Sequence, residues 1–381
     1  MAVSSESVGP AAVGSTRAAR FAYVLGIAPL VLLAAISVVT FVDGLDPGSV
    51  GFDFRGAYLR AAEEIVRGDS PYPPVEGFEL ASHSAYVYPP LLAFALVPLT
   101  VLPAGVAAGL AVAGVALLLI GTLAVLGVRD WRCYAAAFLW APTVNALHMG
   151  SSSALLALAA ALAWRYRAAT WQPALAIGLG VATKLILWPL LVWTLATRRF
   201  RTTVFATVVA GGVTLVLWAA LGFDGLLRYP AMLRRLAALE AGDSYSLVGA
   251  FAGLGAGDAL ARALALVVAS AILVMCVVYA RRDEEARSFA LALAAGLAFS
   301  PIVWLHYFVL LLVPLAIARP RFSPVWLLPL LLWLTPLNGN GELIQPLLPT
   351  LVAAAVFGLI LFERQPRHSV PSLASRVSSY S

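Results

Sequence analysis

The chain has 381 residues, of which 61% are hydrophobic and only 12% are charged. Soluble domains carry about twice that charged fraction, so the composition excludes a soluble enzyme or binding module. The formal net charge is +6, but the arginines cluster beside apolar runs, where basic residues orient membrane spans, and a nucleic-acid partner is not expected. Many runs approach or exceed the roughly 20 residues that a helix needs to cross a bilayer, which predicts an all-α, polytopic helical membrane protein.

The first predicted elements are a polar, disordered N-terminus at 1–20 and a span at about 21–41. Two arginines precede this span and place the N-terminus in the cytoplasm. Residues 42–103 then form a long outer segment. It ends in a short, proline-rich run at 86–103, which is either a full span or an interfacial helix on the outer surface.

The arginine clusters decide between these alternatives. If 86–103 lies on the outer surface, all later clusters face the cytoplasm, whereas a full span would invert the next three. We therefore prefer about twelve transmembrane helices with both termini inside, a membrane domain at 21–363, outer loops at 42–103 and 223–258, and a disordered cytoplasmic tail at 364–381. The spans after the first are expected near 104–127, 132–147, 152–165, 171–182, 185–197, 202–222, 259–280, 286–299, 303–318, 323–337 and 347–363.

The segment 171–197 has an unusual predicted structure. Its two parts are about 12 residues each, too short at 1.5 Å per residue to cross roughly 30 Å of hydrocarbon. They form either a hairpin of short helices with Lys184 at its outward apex or a single tilted helix. Irregular backbone at membrane depth is tolerated where it is buried in protein or lines a water-filled cavity, so the hairpin predicts either a groove that admits water or coverage by other protein.

An amphipathic helix is predicted in the outer segment. The stretch GFDFRGAYLRAAEEIVRGDSPYPP begins at Gly51, and its apolar residues recur with helical periodicity over 54–67. Asp53 immediately precedes this helix. Its carboxylate either caps free backbone N–H groups or acts as a general base at the entry to a cavity, and the pattern alone leaves both open.

Lys184 is the only lysine in the chain, and it lies in the apolar stretch GVATKLILWP. A lysine near a helix end can extend to the membrane interface. However, an ionisable side chain within a membrane segment indicates a functional site. The compact ammonium group suits a phosphate.

Two histidines are further candidates. His306 lies in SPIVWLHYFVLLLVP, where it either bonds to a neighbouring helix or donates to a phosphate or sugar. His148 lies at an outer turn before Gly-Ser-Ser-Ser, where a structural role competes with substrate contact. No phosphate-binding glycine loop or His/Cys cluster occurs, so neither a metal ion nor a nucleotide sugar is expected.

Four segments in this order resemble glycosyltransferase family 87: DFRGAYLRAAEEIVRGDSPYPP, YVYPPLLAFALVPLTVLP, GLGVATKLILWPLLVW and SPIVWLHYFVLLLVP. The resemblance covers about 50–320. It implies a GT-C-like fold and an inverting transferase of the actinobacterial mannosyltransferase type. The donor would be a sugar, first of all mannose, on polyprenyl phosphate, and no other cofactor is implied. The acceptor would be a glycolipid or lipoglycan hydroxyl, reached from an active site on the periplasmic or outer face of the cell membrane.

The resemblance also implies roles for single residues. Asp53 matches the aspartate of the first outer loop, which is expected to be the general base. Lys184 and His306 match positions expected to hold the leaving phosphate, so we expect all three to line one outward-facing cavity. The further candidates for substrate binding are Arg55, Tyr58, His148, Asp243 and Tyr245.

Two departures from the family pattern leave the substrates open. Where many members have Gly-Gln-Asn after the fourth-span turn, this chain has GSSS, and DSYSL replaces an Asn-Gln-Ser-Leu run. The sugar could therefore be arabinose rather than mannose. A lipid-linked-sugar transporter or flippase, or a non-catalytic scaffold, is the alternative class, although the clear paired repeats and midplane acids of transporters are missing.

Overall fold

A computed structural model describes residues 28–29, 31–44, 49–81, 85–336 and 343–362. Helices make up 76% of the structure, and no strand occurs within these ranges. The all-α class predicted from the composition is therefore confirmed. The predicted terminal segments 1–20 and 364–381 lie outside the described residues.

Most helices are shorter than a membrane span, because breaks at proline, glycine or serine interrupt the apolar runs. In chain order the helices are Val31–Asp43, Phe54–Leu59, Arg60–Arg67, Phe78–Ala81, Leu91–Leu96, Val97–Val101, Ala104–Val125, Trp131–Phe138, Ala141–Met149, Ser153–Arg165, Trp171–Thr183, Leu185–Leu187, Pro189–Ala196, Phe200–Ala220, Tyr229–Leu239, Leu247–Gly253, Asp258–Arg281, Glu285–Phe299, Leu305–Leu311, Leu312–Ala318, Pro324–Leu334 and Ile344–Phe362.

Several of these helices identify the chain as a membrane protein. Four described helices are long and apolar enough to cross a membrane, namely Ala104–Val125, Phe200–Ala220, Asp258–Arg281 and Ile344–Phe362. A fifth candidate is the pair Ala141–Met149 and Ser153–Arg165, whose axes bend by 118°. The arrangement with twelve spans stays a prediction, because the other apolar segments are shorter than a bilayer-crossing helix.

Two short segments bear on the alternatives left open by the sequence. The helical part of 86–103 runs from Leu91 to Val101, about 16 Å at 1.5 Å per residue, which favours the interfacial alternative. The segment 171–197 is not one continuous helix, because Lys184 has extended backbone (φ −157°) between the helices that end at Thr183 and begin at Leu185.

The predicted outer helix is observed. It begins as a π-helix at Phe54–Leu59 and continues as an α-helix at Arg60–Arg67. Its apolar face, including Phe54 and Tyr58, is buried against the segment 91–108. Because this face is buried, the helix is held in one orientation. Asp53, which immediately precedes the helix, is held with it.

Glycine allows close packing around the break at Lys184. A Cβ at Gly296, in the helix Glu285–Phe299, would collide with the backbone carbonyl oxygen of Ile186. The helix backbone therefore lies directly against the segment that follows Lys184. Nearby, a Cβ at Gly178 would lie 2.7 Å from Val209, so the helix that leads into Lys184 is also held closely.

Candidate active site

A cavity of about 290 Å³ lies beside the start of the outer helix. Its walls also come from the segment 240–245 and from the start of the helix Leu305–Leu311. Of the residues predicted from the sequence, five line this cavity: Asp53, Tyr58, Asp243, Tyr245 and His306. Segments far apart in the chain thus contribute to one site.

Asp53 has the properties of a base rather than of a helix cap. Its side chain makes no capping hydrogen bond and is 19% exposed, toward the cavity that it lines. Burial raises the pKa of Asp53 to about 6, and the positive charge of Lys184 opposes that rise. A carboxylate with a pKa close to neutral is well matched to accepting a proton at physiological pH.

His306 is held by Asn145 and faces Asp53. His306 Nδ1 lies 3.2 Å from Asn145 Oδ1, and because an amide oxygen only accepts, this contact assigns the Nδ1 proton. Nε2 lies 4.0 Å from Asp53 Oδ2 and has no hydrogen-bond partner among the described residues. The ring nitrogen next to Asp53 is therefore available to a ligand.

Lys184 is buried within the protein, with only 5% of the residue exposed. Its Nζ lies 3.6 Å from the ring centroid of Tyr307 and 4.4 Å from that of Tyr88, and no described residue gives it a hydrogen bond or an ion pair. The two rings supply cation–π attraction in place of a counter-ion. Tyr88 lines the cavity, whereas Lys184 lies behind it, so this side chain does not reach for the membrane interface.

The other predicted residues at the cavity are held by hydrogen bonds. The Tyr58 hydroxyl lies 3.5 Å from Ser152 Oγ. The Tyr245 hydroxyl donates to the carbonyl oxygen of Pro336 at 2.7 Å. The backbone carbonyl of Asp243 accepts a bond of 2.7 Å from the Gln345 side chain. These bonds hold three parts of the cavity wall in place.

Arg55 and His148 are not brought to the cavity wall. A Cβ on Gly105 would lie 3.9 Å from Arg55 Nη2, which places this guanidinium beside the helix Ala104–Val125. The His148 carbonyl accepts a bond of 2.6 Å from Gly51 N–H, and its Nε2 lies 3.1 Å from Ser49 Oγ. His148 therefore holds the loop that leads to Asp53.

Sequence reasoning missed several residues of the site. Asn145 is an amide within the apolar helix Ala141–Met149, and that contrast is a signal that could have identified it. Tyr88 and Tyr307 lie in quoted segments but received no role. Glu240, Trp304 and Gln345 also line the cavity. No described group of three or more His, Cys, Asp or Glu side chains is arranged to hold a metal ion.

Comparison with known proteins gives one match. The family model described as glycosyltransferase family 87 matches residues 86–304, more than half of the chain. No curated protein and no solved structure matches the sequence. The matched range contains Lys184 and the cavity residues Tyr88, Asp243 and Tyr245, while Asp53 precedes it and His306 follows it by two residues.

Proposed function

The chain belongs to glycosyltransferase family 87, and on this premise we propose that it transfers a sugar, mannose in the first instance, from polyprenyl phosphate to a hydroxyl of a glycolipid or lipoglycan. One observation carries this proposal. A carboxylate with a raised pKa, Asp53, lies on one cavity wall with His306, next to the buried ammonium of Lys184.

Asp53 would act on the acceptor. Its carboxylate takes the proton of the acceptor hydroxyl as that oxygen attacks the anomeric carbon. The new C–O bond forms on the face opposite the departing phosphate, so the anomeric configuration inverts. The bond between the anomeric carbon and the phosphate oxygen breaks with its electron pair leaving on the phosphate. The products are the glycoside, polyprenyl phosphate and protonated Asp53.

Lys184 would act on the leaving group, and so would His306 once the bound phosphate favours a second ring proton, on Nε2. The phosphate gains negative charge as the glycosidic bond breaks, and positioned charges or donors in a site poor in water stabilise such charge strongly. Lys184 Nζ has no anionic partner in the described structure, and it lies 4.4 Å from the ring of Tyr88, which lines the cavity while Lys184 does not. In our proposal, the Tyr88 ring moves aside when the donor phosphate binds.

The size and position of the cavity agree with this donor. A volume of about 290 Å³ is near the lower end of the roughly 300–1,000 Å³ range of small-molecule pockets, which suits a sugar and its phosphate better than a sugar nucleotide. The cavity is formed partly by the predicted outer loops. We therefore place the reaction at the outer face of the cell membrane.

The test is transfer by the purified full chain in nanodiscs. Radiolabelled polyprenyl-phosphate mannose, polyprenyl-phosphate arabinose and GDP-mannose are each supplied with a membrane glycolipid fraction. We expect label in a glycolipid product from polyprenyl-phosphate mannose and none from the nucleotide sugar. Transfer from the arabinose donor alone would show that the transferred sugar is arabinose rather than mannose. Transfer from neither lipid donor, or movement of the intact donor between leaflets without transfer, would refute the proposal.

A further inference from the structure

A second cleft, of about 490 Å³, lies at the arginine-rich end of the helical bundle. It is bounded by the end of the helix Pro189–Ala196, the start of Phe200–Ala220 and the end of Asp258–Arg281. The last two helices are candidate membrane spans. The cleft therefore lies where one span begins and another ends, at the membrane boundary.

The walls of this cleft are amphipathic. Val192, Leu195 and Val277 give it an apolar side, and Leu195 is 51% exposed. Arg198 and Arg281, both exposed, give it a cationic side. Apolar side chains exposed next to two guanidinium groups match the acyl chain and the phosphate of a lipid.

The two arginines are uncompensated, unlike their neighbours. Glu284 and Glu285 pair with three other arginines at this end of the bundle. Among the described residues, none gives the side chain of Arg198 or of Arg281 an ion pair or a hydrogen bond. The cleft thus keeps two free positive charges although acidic residues are nearby.

The backbone conformation at position 198 does not favour arginine. Arg198 has φ +61° and follows the helix Pro189–Ala196, with its N–H bonded to the Leu195 carbonyl. Glycine is the usual residue in this left-handed conformation after a helix, because it lacks the Cβ that makes the conformation unfavourable. The side chain of Arg198 therefore needs an explanation other than local geometry.

We propose that this cleft binds an anionic phospholipid. Its phosphate lies between Arg198 and Arg281, and an acyl chain lies along Val192, Leu195 and Val277. Guanidinium groups form strong, charge-assisted hydrogen bonds with phosphate oxygens, and basic pockets between transmembrane helices bind anionic head groups. The site is separate from the sugar cavity and does not depend on the proposed reaction.

The experiment measures lipid binding to the purified full chain in neutral detergent, by native mass spectrometry and by the melting temperature. The probes are phosphatidylglycerol, phosphatidylcholine and soluble glycerol phosphate. We expect phosphatidylglycerol alone to bind and to raise the melting temperature. Arg198→Gly and Arg281→Gln should each weaken its binding about tenfold or more, as expected for loss of a hydrogen bond to a charged group.

Arg201→Gln is the matched control, because Arg201 is exposed at the same end but does not line the cleft. It should change binding by less than about twofold, since separated surface charges are screened by salt. Arg198→Gly should fold at least as well as the parent chain, which its melting temperature without lipid will show. Equal weakening in Arg201→Gln, equal binding of phosphatidylcholine or glycerol phosphate, or no binding of phosphatidylglycerol would each overturn the proposal.

Discussion

The surroundings of charged side chains differ between the cavity at Asp53 and the arginine-rich end of the bundle. At the cavity, Lys184 is buried and has no ion pair in the described structure. At the arginine-rich end, Glu285 pairs with both Arg167 and Arg199, and all three are partly exposed. A buried charge without a partner destabilises the fold, so the unpaired Lys184 behind the cavity supports our proposal that an anionic ligand completes the site.

Two aspartates show the same contrast. Burial raises the pKa of Asp53 to about 6. Asp130, in contrast, accepts hydrogen bonds from the Arg132 side chain at 2.9 and 2.8 Å and from Phe322 N–H at 3.0 Å. These bonds hold its pKa well below its usual range. Asp130 stays ionised and structural, while Asp53 is able to exchange a proton near neutral pH.

The largest expected effect comes from removing the base. Asp53→Asn keeps the shape of the side chain but does not accept the acceptor's proton, so transfer should fall about 10²–10⁴-fold while donor binding persists. Asp130→Asn is the control and should leave the transfer rate unchanged. Rates are measured with a saturating lipid-linked donor at matched expression. Near-normal turnover in Asp53→Asn would remove Asp53 from the mechanism.

The second prediction is that a variant of Lys184 loses activity but gains stability. Lys184→Met should slow transfer about 10²–10³-fold, as for loss of one group that stabilises transition-state charge, and should raise the melting temperature because a buried, unpaired charge is removed. Arg199→Met should leave the transfer rate unchanged and lower the melting temperature, since it breaks the salt bridge to Glu285 but leaves the cavity intact. Transfer assays and thermal unfolding of both variants in the same detergent measure these two effects.

Lys184→Arg refines the same test. A guanidinium keeps the charge but is larger and forked, and it would have to fit between the rings of Tyr88 and Tyr307. We therefore expect only partial activity. A transfer rate equal to that of the parent chain would mean that Lys184 does not hold the phosphate.

The sequence predicted those parts of the structure that depend on local patterns. Periodicity identified the helix after Asp53, and the span arrangement set by the arginine clusters favoured a hairpin with a break at Lys184 over a single tilted helix. The family resemblance, confirmed by the family match, directed attention to Asp53 and His306. These are strong signals, because each residue differs chemically from its neighbours in the chain.

Contacts between distant segments were not predictable in the same way. The bond between Asn145 and His306 joins residues 161 positions apart. Sequence periodicity indicates local structure and does not predict a contact at this separation. Tyr88 and Tyr307 look like ordinary aromatic residues of a membrane protein until folding brings both rings to Lys184. Arg55 and His148 have suitable chemistry, but neither lines the cavity.

The third prediction concerns the backbone that positions Lys184. Gly296→Ala places a methyl group against the Ile186 carbonyl, so the break must shift, at a cost of about 1–3 kcal/mol for overpacking. Melting temperature and transfer rate should both fall. Gly109→Ala is the matched control, because a Cβ there meets no atom within 4 Å. A variant of Gly296 with normal activity would show that the position of Lys184 is not critical.

The smallest expected effects are changes in pH dependence, first of all that of the transfer rate. The base works as a carboxylate and the pKa of Asp53 is raised to about 6, so kcat/KM should fall about tenfold per pH unit below pH 6. In Lys184→Met the opposing positive charge is absent, so the residual activity should show this acid limb at higher pH. Asp130→Asn should leave the limb where it is, because Asp130 lies outside the cavity.

Lowering the pH should change the stability contributions of Asp53 and Asp130 in opposite directions. The folded-state pKa of Asp53, about 6, lies above the usual aspartate pKa of about 3.9, so the folded state binds the proton more tightly and gains stability as the pH falls through 6. Asp130 has a depressed pKa, so its contribution is present above the unfolded pKa of about 3.9 and is lost at lower pH. When the pH is lowered from 8 to 5, the melting temperature should therefore rise less in Asp53→Asn than in the parent chain. Asp130→Asn should follow the parent chain over this range. A parent-like rise in Asp53→Asn would assign the proton uptake to another group and would remove the pH argument for Asp53 as the base.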